Sequence, residues 1–341
     1  DGGAGFDTVA AALINAANAS KFVNFEAIDI STTATLDTAL LTGSTITALT
    51  LSGGAGGATV SNVGTGIGLN VSGSNTGTST IAVKNAVTNA TDTFGITFNG
   101  TADASATALA KTAIGAGTVV VNDVEAVTIA SSGTGFVTNS IALTDSNLKT
   151  LTITGSQDLG LTFTGTNGTV VSATVGGVSS IDGSAATGKL NINLANVTGA
   201  TAGLTVKGGS GDDTLTTSAA ATTLTGGAGK DNFVVTSAAY TATKVVTTVT
   251  DFAAGDNIQT GAAASTAVTK ITLDSTVTTL DSALAKVGAA ATVQWFQYAG
   301  DTYVVNNVDA TAGTGVTDVV VKLSGLVDLT NATVGTAGLH L

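Results

Sequence analysis

Two glycine-aspartate turns carry the side chains whose type and spacing point most directly to a chemistry. They read Gly208-Gly209-Ser210-Gly211-Asp212-Asp213 and Gly226-Gly227-Ala228-Gly229-Lys230-Asp231. Each fits G-G-x-G-x-D, and each continues x-apolar-x through Leu215 or Phe233. The two turns start eighteen residues apart. In a parallel β-roll a nine-residue half-coil runs along one sheet, turns and returns along another, so turns on one edge stack at that interval. Stacked in this way, Asp213 and Asp231 each supply a carboxylate and the turns supply backbone carbonyls. That all-oxygen shell suits a hard cation, Ca²⁺. The glycines permit φ > 0 and let the backbone approach the ion closely.

The elements that must hold these turns leave their own trace. Val197, Val206, Leu215, Leu224 and Phe233 recur every nine residues, as an inward-pointing column of a solenoid requires. The half-coil 217–225 lacks the glycines but keeps the apolar residue in phase. Two unrelated surface turns are the plainer alternative, since Gly and Asp form turns everywhere; period and phase favour the roll. A third turn, Gly2-Gly3-Ala4-Gly5-Phe6-Asp7, fits the pattern but stands alone, because 20–25 reads SKFVNF. It is expected to be half of a calcium site whose partner lies upstream. Past the roll, Asp251 and Asp256 in Val249–Asp256 fall on a closing strand and turn and are further candidate ligands.

Composition bounds the function. The 341 residues include no Pro, Cys, Met or Arg; 21 of the 23 acidic residues are Asp, and the net charge is −12. Such acidity argues against nucleic acid and against adsorption to anionic lipid. Bound cations would relieve the self-repulsion. Lack of Cys excludes disulfides and zinc-thiolate sites. No apolar run approaches the ~18 residues of a membrane span. The chain starts at Asp1 without Met and reads as a fragment of a longer precursor. Aromatic residues are scarce, so a thin solenoid core suits the chain better than a large globular one.

The N-terminal half is duplicated. Phe25–Ile30 matches Val124–Ile129, and 41–53 matches 143–155, so both glutamates, Glu26 and Glu125, fall at one place in the two copies. Residues 24 to about 187 therefore read as stacked β units. Either glutamate could bind Ca²⁺; the simpler reading is a strand-end carboxylate that accepts backbone N–H groups. Residues 182–187 read as a turn leading into the strand 190–194, where the roll begins, to end near Val235. Beyond it, Leu280, Leu284 and Val287 have helical spacing, with Thr278 and Asp281 placed as a capping box. Val293–Tyr298 and Thr302–Val305 read as a hairpin. Trp295, with aromatic residues close by, belongs to a cap core or, alternatively, to a carbohydrate platform.

Catalytic arrangements do not emerge. His340 is the one histidine, so neither a Ser-His-Asp triad nor a His-Glu-x-x-His zinc motif can be built. Gly229-Lys230 is no phosphate loop: Leu224 stands where the motif needs Gly, and Asp231 where it needs Ser or Thr. The chain is expected not to be an enzyme.

On the repeats at 208–234, with 182–194 and the tail segments 300–309 and 317–333 in support, the chain resembles the calcium-binding RTX proteins exported by type I secretion. It looks most like the RTX-type surface-layer (S-layer) proteins of Gram-negative bacteria. The resemblance implies Ca²⁺-driven folding outside the cell, an uncleaved C-terminal secretion signal and self-assembly into a two-dimensional lattice at the cell surface. If a segment anchors the layer to lipopolysaccharide, it is expected upstream of residue 1. The expected fold is all-β: a parallel β-solenoid lattice region at 1–187, the calcium-binding β-roll at 188–235, and a small mixed cap with the secretion signal at 236–341. A calcium-dependent adhesin, or the secretion module of an exported enzyme, are the rival readings.

Overall fold

The computed structural model describes residues 1–164, 177–197, 203–218, 220–235, 240, 246–261, 268–289, 292–307, 312–313, 318–335 and 338–341. Ala219 of the half-coil, residues 308–309 and 317 of the tail segments, and 165–176 of the duplicated region lie outside the described residues. Nearly all regular structure is β, in parallel-dominated sheets with a small antiparallel C-terminal part, as a parallel β-solenoid or roll requires. The chain divides into two compact units, Asp1–Lys189 with Val197–Gly199, and Leu190–Asn196 with Ala200–Leu341. Among the described residues no helix is long and apolar enough to cross a membrane.

In the first unit the chain alternates between two sheets. Thr8–Ala10, Ala27–Asp29, Ala48–Leu51, Gly68–Val71, Thr93–Phe98, Ala126–Ser131, Thr150–Gly155 and Ser180–Ala186 follow one another along one sheet. Ala34–Asp37, Ala58–Val63, Thr78–Val83, Thr112–Val120, Val137–Thr144 and Asp158–Phe163 do so along the other. Period-two patterning drives this arrangement. In Thr150–Gly155, Leu151 and Ile153 are buried while Thr150 and Thr152 face out. Coil length varies freely: Ala27 pairs with Ala48, twenty-one residues on, but Thr93 pairs with Ala126, thirty-three on. The duplication is a block of two adjacent coils. Ala27–Asp29 pairs with Ala48–Leu51 as Ala126–Ser131 pairs with Thr150–Gly155. The same bond recurs at each block's edge, Thr47 N–H to the Glu26 carbonyl (2.8 Å) and Lys149 N–H to the Glu125 carbonyl (2.9 Å).

Residues 182–187 are not a turn but most of the strand Ser180–Ala186. The Asp182 carboxylate accepts the Ser184 amide (3.0 Å) and hydroxyl (2.6 Å), the local turn chemistry expected of Asp-Gly-Ser. The sheet absorbs it as a bulge between Thr152 and Thr154.

The second unit begins with the roll. Leu190–Asn193, Thr214–Thr216, Asn232–Val234 and Asn257–Gln259 stack in one sheet; Leu204–Lys207, Thr222–Thr225 and Thr247–Val249 stack in the other. One step in each sheet is eighteen residues, pairing Thr214 with Asn232 and Leu204 with Thr222, while the flanking steps are longer: Asn191 pairs with Thr214 and Asn232 with Asn257. The column Val197, Val206, Leu215, Leu224, Phe233 is buried throughout. Parallel pairing does not stop at Val235: in the first of these sheets it runs one coil further, to Gln259, where Gly338–His340 takes over in antiparallel sense, and in the other Thr247–Val249 pairs in parallel with Val319–Leu323.

Val293–Tyr298 and Asp301–Asn306 form the expected hairpin, turning through Ala299 (φ 52°) and Gly300 (φ 90°). The helix is Leu280–Leu284, and its capping box is shifted by one from the expected pair: Thr279 accepts the Ser282 amide at 3.1 Å, and the Ser282 hydroxyl accepts the Thr279 amide at 3.0 Å. A serine reaches back as readily as an acid, and Asp281 accepts from the Tyr240 hydroxyl (2.9 Å). Leu284 and Val287 pack with Phe296 and Tyr303, whose rings stack at 5.4 Å. Trp295 is 1% exposed, with the Lys270 ammonium 4.6 Å over its ring, so no face is open to a sugar. Its fluorescence is expected to resist acrylamide quenching, and Lys270→Ala to cost about 0.5–1 kcal/mol in urea unfolding. Strong quenching of the folded chain would contradict the buried ring.

Candidate metal centre

In the roll, each aspartate that ends a turn is the residue just before a strand, so parallel stacking sets these residues over one another. The column runs Leu190, Asp213, Asp231, Asp256. The Leu190 amide donates to Asp213 Oδ1 (2.7 Å), the Asp213 amide to Asp231 Oδ1 (2.9 Å), and the Asp231 amide to Asp256 Oδ1 (2.9 Å). The result is a stair in which every carboxylate caps the amide of the preceding coil. All three aspartates are buried.

The second oxygens face the turns. Asp213 Oδ2 accepts the Gly209 amide at 2.6 Å. One coil later Asp251 takes that part, its two oxygens accepting the Gly226 (2.9 Å) and Gly227 (2.8 Å) amides. Asp256 Oδ2 accepts the Ala253 amide, closing its own turn. The x-position Asp212, exposed, accepts the Lys230 amide at 3.0 Å, and the Ala228 amide donates to the Gly209 carbonyl at 3.1 Å. Ser210 and Ala228 themselves are exposed.

Glycine is required where oxygen atoms converge. A Cβ on Gly208 would lie 2.3 Å from both Asp213 Oδ2 and the Gly226 carbonyl oxygen, and one on Gly226 would lie 2.2 Å from Asp231 Oδ2. Gly227 (φ 103°) and Gly229 (φ 124°) sit directly over the Gly209 and Gly211 carbonyls. Carboxylate and carbonyl oxygens thus share a small space that only glycine leaves open. The donor chemistry is oxygen alone, and it fits Ca²⁺. Among the described residues no three carboxylates or imidazoles converge on one point, so carbonyls must complete such a shell. The stack is electrostatically costly as it stands. Burial pushes the Asp231 carboxyl up to about 7 against the pull of the Asp213 amide, and repulsion from Asp213, Asp256 and Asp251 adds to it.

The N-terminal turn has the same build, and it does not stand alone. Gly3 (φ 91°) and Gly5 (φ 125°) match the conformations of Gly227 and Gly229. A Cβ on Gly2 would meet the Asn24 carbonyl oxygen at 2.1 Å, as one on Gly208 meets that of Gly226. The partner is Glu26, nineteen residues past Asp7: Glu26 Oε2 accepts the Asp7 amide at 2.8 Å. Counting at eighteen misses it by one, because this coil is one residue longer and Glu replaces Asp. Glu125 does the same, accepting the Asp92 amide at 3.0 Å. Both glutamates are strand-end acceptors of a backbone amide, the simpler of the two sequence readings. Sequence reasoning missed Asp92 and the two-oxygen grip of Asp251; the shared position of the two glutamates was the signal that could have led to Asp92. Comparison of the chain with protein-family models and with curated proteins finds no match.

Proposed function

We propose that the chain is a structural protein, part of a secreted RTX-like S-layer subunit that folds outside the cell with Ca²⁺ and assembles with copies of itself into a two-dimensional lattice. The observation that carries this reading is the buried stair Asp213–Asp231–Asp256 laid over glycine turns. Asp213, Asp231 and the carbonyls of Gly209, Gly211 and Gly226 would hold the ion; Asp251 and Asp256 belong to the next step of the stair. When bound, Ca²⁺ supplies the positive charge that lets the stacked carboxylates ionise together. Without it Asp213, Asp231 and Asp256 repel one another along the stair, which keeps the roll loose until the chain leaves a calcium-poor compartment. Affinity in the ~10⁻⁴–10⁻³ M range of extracellular modules suffices for that switch.

Assembly draws on the outer faces. Thr59, Thr93, Thr128, Ser140, Thr150, Thr152 and Thr162 point outward from the coils, so neutral hydroxyl-bearing faces can approach without charge repulsion. A calcium titration followed by electron microscopy and light scattering tests the reading. Ordered sheets are expected at millimolar Ca²⁺, dissolving on chelation. A monomer that stays monomeric in calcium favours an adhesin and sinks the lattice.

A further inference from the structure

Among the described residues three carboxylate oxygens are buried without a hydrogen-bond partner: Oδ2 of Asp7, of Asp92 and of Asp145. All belong to the first unit, and all adjoin the two glutamate steps. Asp7 and Asp92 each give their amide to the glutamate one coil on. Asp145, near enough to Glu125 to be repelled by it, carries the third.

The Asp92 step is the most enclosed. Asp92 is 3% exposed and Glu125 9%. The amide bond of 3.0 Å sets the Glu125 carboxylate against the backbone of Asp92 itself. Asp92 Oδ1 is held by the Asn89 side-chain amide at 2.7 Å, which leaves Oδ2 bare. Asn89 and Asn147 line a pocket of about 200 Å³ together with Glu125 and Lys149. Asp145, 1% exposed, accepts the Asn147 amide at 2.9 Å, and Asp123 accepts the Asn147 side chain at 3.2 Å. Burial pushes Asp145 up to about 8, and the carboxylates of Asp123 and Glu125 are near enough to Asp145 to repel it and add to the rise. A buried carboxylate oxygen left without a partner is costly unless a cation meets it.

We propose that the step between Asp92 and Glu125 is a divalent-cation site, suited to Ca²⁺ by its oxygen donors, which no glycine-aspartate motif marks. Asp92 Oδ2 and Glu125 are its carboxylate ligands, and amide oxygens and water complete the shell. The same step at Asp7 and Glu26, with the same bare Oδ2, makes it a repeated device of the first unit rather than an accident of one turn.

Equilibrium dialysis of the full chain against radioactive Ca²⁺ counts the ions. Asp92→Asn with Glu125→Gln is expected to lower the count by one per chain while far-UV circular dichroism is unchanged. An unchanged count overturns the proposal. Should that variant not fold, hydrogen exchange on Asp213→Asn/Asp231→Asn, which retains Asp92 and Glu125, decides instead. Calcium is expected to slow exchange at Asp92 and across 121–126 at least tenfold, and equal rates in calcium and chelator overturn the site. Loss of ions with one pair of substitutions but not the other separates failure here from failure of the roll site.

Discussion

In calcium-free buffer the second unit unfolds more easily at pH 8 than at pH 5, and Asp231→Asn removes most of that difference. The cause is the raised Asp231 carboxyl, about 7 in the folded chain against 3.8 for an ordinary Asp. A folded-state value above the unfolded one means that the folded chain binds more protons between the two. Stability from this group is therefore full below pH ~4, falls as pH rises toward 7 and is flat beyond. From pH 5 to 8 the loss is about 2–3 kcal/mol, at 1.36 kcal/mol per unit over the part of the window that is crossed. Lowered carboxyls such as Asp301 and Asp328, held down by their hydrogen bonds, act in the opposite sense but only in acid below this window.

Calcium inverts the outcome. Holding the ion requires ionised Asp231, so below pH 7 the calcium midpoint is expected to rise up to tenfold per pH unit. Asp231→Asn keeps an oxygen to accept the Asp213 amide and loses the charge. It should make the calcium-free chain more stable at pH 8 while blunting its response to calcium. Trp295, in the second unit, reports this unfolding separately from the first unit, where Asp145 adds a fall of the same sign. Flat stability of the wild-type second unit from pH 5 to 8 in chelator would sink the idea.

The roll was legible because its chemistry is periodic. An ion held between turns demands glycine and aspartate at fixed positions, and a column such as Leu215 over Phe233 demands an apolar residue at each ninth place. Where no such motif recurs, no period is visible. The first unit lengthens its coils at will, and only the duplication around Glu26 and Glu125 betrays the stacking. Asp92 was illegible for that reason: it lies thirty-three residues before Glu125, while Asp7 lies nineteen before Glu26. The helix cap shifted by one residue because Thr278 and Thr279 are adjacent and either can cap; the serine at 282 chose between them. Local propensity sees the turn in Asp182-Gly183-Ser184, but pairing with Thr150–Gly155 decides that it becomes a bulge.

Gly227→Ala and Gly203→Ala have the same backbone cost and should differ sharply in effect. Both glycines sit at φ 103°, where a side chain is strained by roughly 1–3 kcal/mol. Around Gly203 a Cβ meets no described residue within 4 Å, so among these contacts strain is the penalty. On Gly227 the same Cβ would lie 2.0 Å from the Gly209 carbonyl oxygen of the coil before. That neighbour is backbone and has no rotamer to change, so the two turns must part. Parting them breaks the Ala228 amide bond to Gly209 and pulls on the Asp213–Asp231 step. The extra loss should reach about 3 kcal/mol or more, the range of overpacking where backbone must move. Urea unfolding followed by Trp295 fluorescence measures the pair in one unit, and Gly227→Ala should also abolish stabilisation by calcium while Gly203→Ala retains it. Equal losses from the two substitutions would mean that the turns are not in contact, and the stair of aspartates would lose its footing with them.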